Sequence, residues 1–599
     1  MRPPSRETVP YDGPVTTSDT AADVPRAETP EAAPTWQARL RGFGYAGRSR
    51  VGTRERLVPP FPAPDGRIGA LFGLSPHAAA RLAHWAAWGG PLLVALLAGV
   101  LRFWQLGSPH AVIFDETYYA KDAWSLFQYG YEGSWPEKAN DRILDTPQRI
   151  PLSPEGAYVV HPPVGKWTIG LGEWLFGLNP FGWRFMTAVL GTLSVLMLCR
   201  IGRRLFRSTV LGCLAGLLMA VDGLHFVMSR AALLDLVLMF WVLAAFGCLL
   251  ADRDRTRAAL ARALPPDDPP DPVDPSARPD RAAVRPDPET GARFGFGPRP
   301  WRLLAGLCLG LGCATKWNGL YILAAFGLLT VLWDMGARRT AGAPRPLAAM
   351  LRRDSLPAFA SLVVVSLGTY IASWSGWFAT SGGYFRDWAD KGGAAGPWGW
   401  LPGPLRSLWH YEAEVYDFHV GLTSGHTYES NPWSWLVLGR PVSYFYESPK
   451  AGKDGCTAQG EGCAREVLAL GTPLLWWAAC FALLYVLYRW FFRRDWRAGA
   501  VLCGVAAGYL PWFMYQERTI FLFYAVVFVP FLCLAVTMMI GALAGPPGVG
   551  ERRRTAGIVG AGVLVLLVVW NFVYFWPIYT GQAIPMEEWR QRMWFDTWI

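Results

Sequence analysis

Apolar runs of roughly 20 residues, the length that crosses a bilayer as helix, recur from residue 88 almost to the end of this chain. Inside lipid the backbone has no water to bond, so such segments must satisfy their own N–H and C=O groups as α-helix. Eleven spans are expected, at about 88–106, 183–200, 210–227, 232–251, 302–317, 318–334, 357–378, 471–490, 498–515, 520–543 and 557–577. Composition agrees: 52% of the residues are hydrophobic and 17% charged, against about 25% charged in soluble domains. A soluble globular protein and a disordered chain are both excluded. The fold class expected is an all-α polytopic membrane protein with two large outward loops.

Charge orients it. Arg203, Arg204 and Arg207; Arg338, Arg339, Arg345, Arg352 and Arg353; Arg489, Arg493, Arg494 and Arg497; and Arg552, Arg553 and Arg554 fall on alternate sides of the spans. By the positive-inside rule that side is the cytoplasm. Residues 1–87 lack helical or strand periodicity and are expected to be a disordered cytoplasmic tail. No apolar signal-peptide core lies in the first 30 residues, so the first span is expected to act as an uncleaved anchor. Residues 88–251 form the N-terminal membrane part, with the first outer loop at 107–182. A cytoplasmic linker at 252–300 follows, carrying eleven prolines between Pro265 and Pro300. Membrane helices at 301–378, an outward loop at 379–470, membrane helices at 471–577 and an outward tail at 578–599 complete the chain. Eight cysteines sit in apolar stretches, whereas Cys456 and Cys463 share a polar outer loop, where a local disulfide stays an open alternative. There is no internal repeat of the kind that builds inverted-repeat transporters. Nor is there a phosphate-binding or dinucleotide glycine fingerprint in strand–helix context, and no nucleic-acid partner is expected.

The first outer loop opens with FDETYYAKDAWS at 114–125. Adjacent carboxylates at a membrane surface are unusual, because an unpaired buried charge costs several kcal/mol. Asp115 has two readings: a helix N-cap, or a general base that takes a proton from an acceptor hydroxyl. Phe114, Tyr118, Tyr119 and Trp124 suit a carbohydrate or lipid pocket but equally an interfacial anchor. The loop ends in HPPVGKW at 161–167, a stiff turn presenting His161 and Lys166 either structurally or to a phosphate. Charges at span edges add Arg184, Arg230, Asp235, Lys316 and Arg518. Arg184, Arg230, Lys316 and Arg518 each either snorkel to the surface or join a cradle for a lipid phosphate, and an Arg230–Asp235 pair five residues apart needs bent side chains or a third partner. In the second outer loop, His410, His419 and His426 with Glu412, Glu414 and Asp417 match no strong metal motif.

Taken in order, FDETYYAKDAWS, HPPVGKW, SRAALLD at 229–235, GLCLGLGCATKWNGLY at 306–321, YLPWFMYQERTIFLFYAVVFVPF at 509–531 and the tail ending in WRQRMWFDTWI carry a resemblance. From residue 88 to the end the chain resembles actinobacterial protein O-mannosyltransferases, polyprenol-phosphate-mannose-dependent membrane enzymes of the GT-C architecture. The resemblance implies transfer of one mannose, with inversion, from a polyprenyl-phosphate donor to Ser or Thr of exported proteins. It implies Asp115 as catalytic base and Glu116 as the group positioning acceptor or sugar. It makes Arg184 the family's essential arginine, with Arg518, Lys166, His161, Arg230 and Lys316 as further donor contacts. No cofactor is required; a divalent metal is left unassigned, with no ligand set named for it. Eukaryotic relatives carry a MIR domain in the large outer loop, and 379–470 is too short for one. The partners implied are the lipid donor, secreted or membrane protein acceptors, the membrane lipid and the protein-export machinery, in the plasma membrane with the site outside. One rival is a GT-C enzyme with a lipid or glycan acceptor. A second is a transporter, whose charges belong at the midplane rather than, as here, at one face.

Overall fold

The computed structural model describes residues 52–61, 73, 75–145, 148, 150–265, 287–393, 396–458, 462–545 and 550–599. Most of the expected tail at 1–87 and the middle of the Pro-rich 252–300 segment lie outside the described residues.

Helix forms at each of the eleven expected places. Eight helices among the described residues are long and apolar enough to cross a membrane: His77–Phe103, Pro180–Phe206, Leu234–Ala263, Gly319–Thr340, Ser355–Ser373, Pro473–Phe491, Leu522–Ala544 and Glu551–Thr580. At the other three places the helices are shorter. Thr209–Ala220 stops where Asp222 starts Gly223–Met228 by accepting from His225 N at 2.9 Å. Pro300–Cys313 ends at the turn that carries Lys316, and Trp496–Tyr509 tightens into 3₁₀ geometry at Pro511. The protein is therefore a mostly helical, multi-pass membrane protein.

Three boundaries differ from expectation. The first helix begins at Pro76, with Ser75 Oγ accepting from Ala78 N, so the last residues of the expected tail are helical. Proline at the first helical position and a serine cap outweigh the polar Arg81 and His84 there. Thr53–Leu57, also assigned to a structureless tail, is helical, and Leu57 is buried with Leu260, Leu264 and Ala337. Its single apolar anchor is too small a signal to stand out in a polar stretch. The helix Leu234–Ala263 runs past residue 251, because Ala, Leu and Arg in DRDRTRAALARA are strong helix formers. Past it, Arg299 joins Asp252 and Asp334, so both ends of the Pro-rich segment are held on one buried cation.

A small sheet, absent from the all-α expectation, joins the 379–470 loop to the C-terminal tail. Strands β1 (Val442–Glu447), β2 (Cys463–Ala469) and β3 (Ala583–Pro585) lie in the order β1-β2-β3, all antiparallel. Val442 faces Ala469, and Cys463 faces Pro585, so the C-terminal tail completes a sheet begun in the second outer loop. Aromatic and β-branched residues in VSYFYE favour that pleat. Cys456 and Cys463 form a disulfide with Cα atoms 5.6 Å apart, which closes the alternative left open.

Candidate active site

Asp115 precedes the helix Glu116–Tyr129 and makes no side-chain capping bond to it. The residue before it, Phe114, has φ 45°, a left-handed conformation that costs a bulky side chain of order 1–3 kcal/mol. Packing enforces it. The Phe114 ring stacks on Tyr444 at 4.8 Å and meets Phe523 edge-on at 5.5 Å.

Glu116 anchors the other side of the turn. Its two oxygens accept from Arg184 Nε and Nη2 at 2.8 Å each, from Ile113 N at 3.1 Å and from Ala232 N at 3.1 Å. Arg184 also donates to the carbonyls of Leu106, Pro109 and Ala111. Both side chains are fully buried. One ion pair thereby ties the Asp115 turn to the helix Pro180–Phe206 and to the SRAALLD segment.

The carboxylate of Asp115 accepts no hydrogen bond from any described residue. Burial raises its pKa to about 6; the charge of Lys316 draws it down and that of Asp235 pushes it up. A half-buried carboxylate with no donor beside it is a base poised near neutral pH. Lys316 Nζ bonds both oxygens of Asp235 at 2.9 Å and lies 4.3 Å from the centre of the Tyr524 ring. The HPPVGKW turn closes in from the loop's far end. A Cβ on Gly165 would sit 2.6 Å from Leu234 Cδ2 and 3.0 Å from Thr315 Cγ2, so glycine lets this helix pack close against both side chains. His161 stacks on His419 at 5.1 Å and lies 6.1 Å from Tyr119. Burial drives His161 well below the usual histidine range, and Lys316, His419, Lys166 and Arg518 add to that.

The sequence-expected residues separate into two groups. Asp115, His161, Lys316 and Arg518 surround one region, in which Asp115 and His161 each feel the charge of Lys316. The others are sealed onto the protein itself. Glu116 and Arg184 occupy each other. Arg230 donates to the carbonyls of Arg102, Trp104 and Gln105, and Lys166 is held by Glu132 and the His161 carbonyl. Asp235 pairs with Lys316 rather than with Arg230, because it opens the helix Leu234–Ala263 and faces the turn after Cys313. His410 stacks on Trp388 and His426 lies against Phe521, so the three loop histidines disperse. Among the described residues no three His, Cys, Asp or Glu side chains gather as metal ligands. Tyr444 and Tyr524, which line the region, carried no distinguishing sequence signal beyond aromatic content.

The model of the family described as Dolichyl-phosphate-mannose-protein mannosyltransferase matches residues 92–261, and that of the C-terminal four TMM region of protein-O-mannosyltransferase matches 404–598. Polyprenol-phosphate-mannose--protein mannosyltransferase of Mycolicibacterium smegmatis is 40% identical over 520 residues, covering 85% of this chain and 93% of that protein. The Mycobacterium tuberculosis protein of the same name is 39% identical over 525 residues, covering 86% and 92%. The solved Saccharomyces cerevisiae Pmt1-Pmt2 complex bound to the sugar donor matches with a TM-score of 0.61 at 14% identity, over 85% of this chain and 92% of that one. That likeness shows the shared GT-C membrane fold. With identity of this level along most of its length, the chain belongs to the protein O-mannosyltransferase family.

Proposed function

We propose that this protein transfers a single mannose from polyprenyl-phosphate-mannose to Ser or Thr hydroxyls of exported proteins, with inversion, on the outer face of the cell membrane. The observation that carries it is Asp115: a carboxylate fixed on both sides, accepting no hydrogen bond, beside Lys316. In the reaction, Asp115 takes the hydroxyl proton as the acceptor oxygen bonds the anomeric carbon. The bond from that carbon to the phosphate oxygen breaks on the opposite face, and polyprenyl phosphate leaves with the electron pair. Lys316 and Arg518 stabilise the growing phosphate charge. A phosphate leaves without help from a general acid, so one carboxylate suffices, and no metal is needed. Glu116 and Arg184 hold the base in place rather than touching sugar or phosphate.

The names of its relatives support the donor and the protein acceptor. The arginine clusters support a cytoplasmic N-terminus, and in this reading acceptors are met as they emerge from the export machinery. Incubating the protein with labelled polyprenyl-phosphate-mannose and a Thr/Pro-rich peptide tests the reading. Label on the peptide, in the anomer opposite to the donor's, is the expected result. Label on lipid or glycan alone would assign the rival acceptor class.

A further inference from the structure

His419, whose loop neighbours suggested only a weak metal set, touches three parts of the site at once. It lies in the last turn of the helix Gly403–Gly421. Its Nε2 is 2.8 Å from the carbonyl of Val160, the residue before the HPPVGKW turn. A carbonyl only accepts, so Nε2 carries the proton and Nδ1 offers a bare lone pair. Arg518 Nη2 lies 3.2 Å from that lone pair. The ring stacks on His161 and meets Trp317, the neighbour of Lys316, edge-on at 6.0 Å. Burial brings His419 down to about 4, with Arg518 and Lys316 adding to the fall against the Val160 bond, so the ring stays neutral at working pH.

Arg518 needs such a partner. It sits in an irregular stretch between the 3₁₀ turns Leu510–Met514 and Leu522–Phe528, on a long side chain with much rotamer freedom. Its Nε is buried without a hydrogen-bond partner. A guanidinium gripped at one nitrogen, with another donor unmet, is arranged to receive an anion. We propose that His419 is a positioning residue: accepting from Arg518 through Nδ1, it holds the guanidinium toward the phosphate of the lipid donor. This rests on the proposed function, in which Arg518 meets that phosphate.

Variants of the full-length protein in lipid nanodiscs test it, with polyprenyl phosphate as competitive inhibitor of transfer. His419→Phe keeps a ring for His161 but loses both bonds; His419→Asn restores an acceptor where Nδ1 stood. Losing a hydrogen bond to a charged group predicts that Phe raises the donor KM and the inhibition constant about tenfold or more, with acceptor KM unchanged. Asn should return both to within about threefold of native. In an Arg518→Ala background, Phe should add nothing further. Native affinity in the Phe variant, equal loss in Phe and Asn, or full additivity with Arg518→Ala would each overturn the proposal. If the native chain transfers no mannose, the function reading falls first, and the proposal with it.

Discussion

Arg184 and Glu116 meet at two points, Nε to Oε1 and Nη2 to Oε2, each at 2.8 Å, and neither side chain reaches solvent. Every N–H of Arg184 has an acceptor in the loop that carries Asp115. The adjacent acids thus differ in their surroundings: Glu116 is bonded on both oxygens, whereas Asp115 accepts no hydrogen bond from a described residue.

Breaking this pair strands a buried charge, which costs about 3–5 kcal/mol. Glu116→Gln and Arg184→Lys should both lower the melting temperature of the purified protein. Lysine cannot supply two parallel bonds, so the loss should persist despite the conserved charge. Differential scanning fluorimetry in nanodiscs checks this; an unchanged Tm in either variant would contradict it.

As the proposed base Asp115 must be ionised to act, and burial raises its pKa to about 6. Transfer at low substrate should therefore fall as pH drops through about 6 and level off above about 7. Stability runs the other way. The folded pKa lies above the unfolded value, so the native state binds more protons, and stability is lost as pH rises from about 4 through 6. Asp115→Asn should consequently raise Tm at pH 7.5, by a free energy of order 1 kcal/mol after allowing for solvent screening, with less gain at pH 5. Tm measured at both pH values is the check.

Lys316 has two duties, pairing with Asp235 and facing Asp115. Lys316→Met leaves Asp235 buried and unpaired and, on the proposed function, removes a phosphate contact, so stability and turnover should both drop, turnover by about 100-fold. The double variant Lys316→Met with Asp235→Asn should regain stability but not turnover. Recovery of turnover in the double variant would show that Lys316 only neutralises Asp235.

The Cys456–Cys463 disulfide predicts a loop that has met an oxidising compartment. Alkylation followed by mass analysis should leave these two thiols unmodified until reduction. Alkylation of both without reductant would contradict the pairing.

Apolar length made the helices legible, and the motif order made the family legible. What sequence could not convey is which polar groups neutralise one another. Asp235 and Lys316 are 81 residues apart, and nothing in either segment announces their bond. Arg184 and Arg230 read as cations at span edges and Lys166 as the end of a stiff turn, yet backbone carbonyls or a single glutamate take their donors, a choice made by tertiary packing alone. The sheet was hidden for a similar reason, since β3 is three residues long and gains meaning only beside β2. His419 looked like a poor metal ligand because its actual partners, Val160 and Arg518, are 259 and 99 residues away.

The most direct measurement compares the native protein with Asp115→Asn, in membranes from cells lacking a native counterpart. Labelled polyprenyl-phosphate-mannose and a Thr/Pro-rich acceptor peptide are supplied, and donor binding is measured alongside. A general base predicts transfer by the native chain and a loss of about 100-fold or more in the variant, with donor affinity retained. Equal transfer by both would contradict Asp115 as the base and the account built on it.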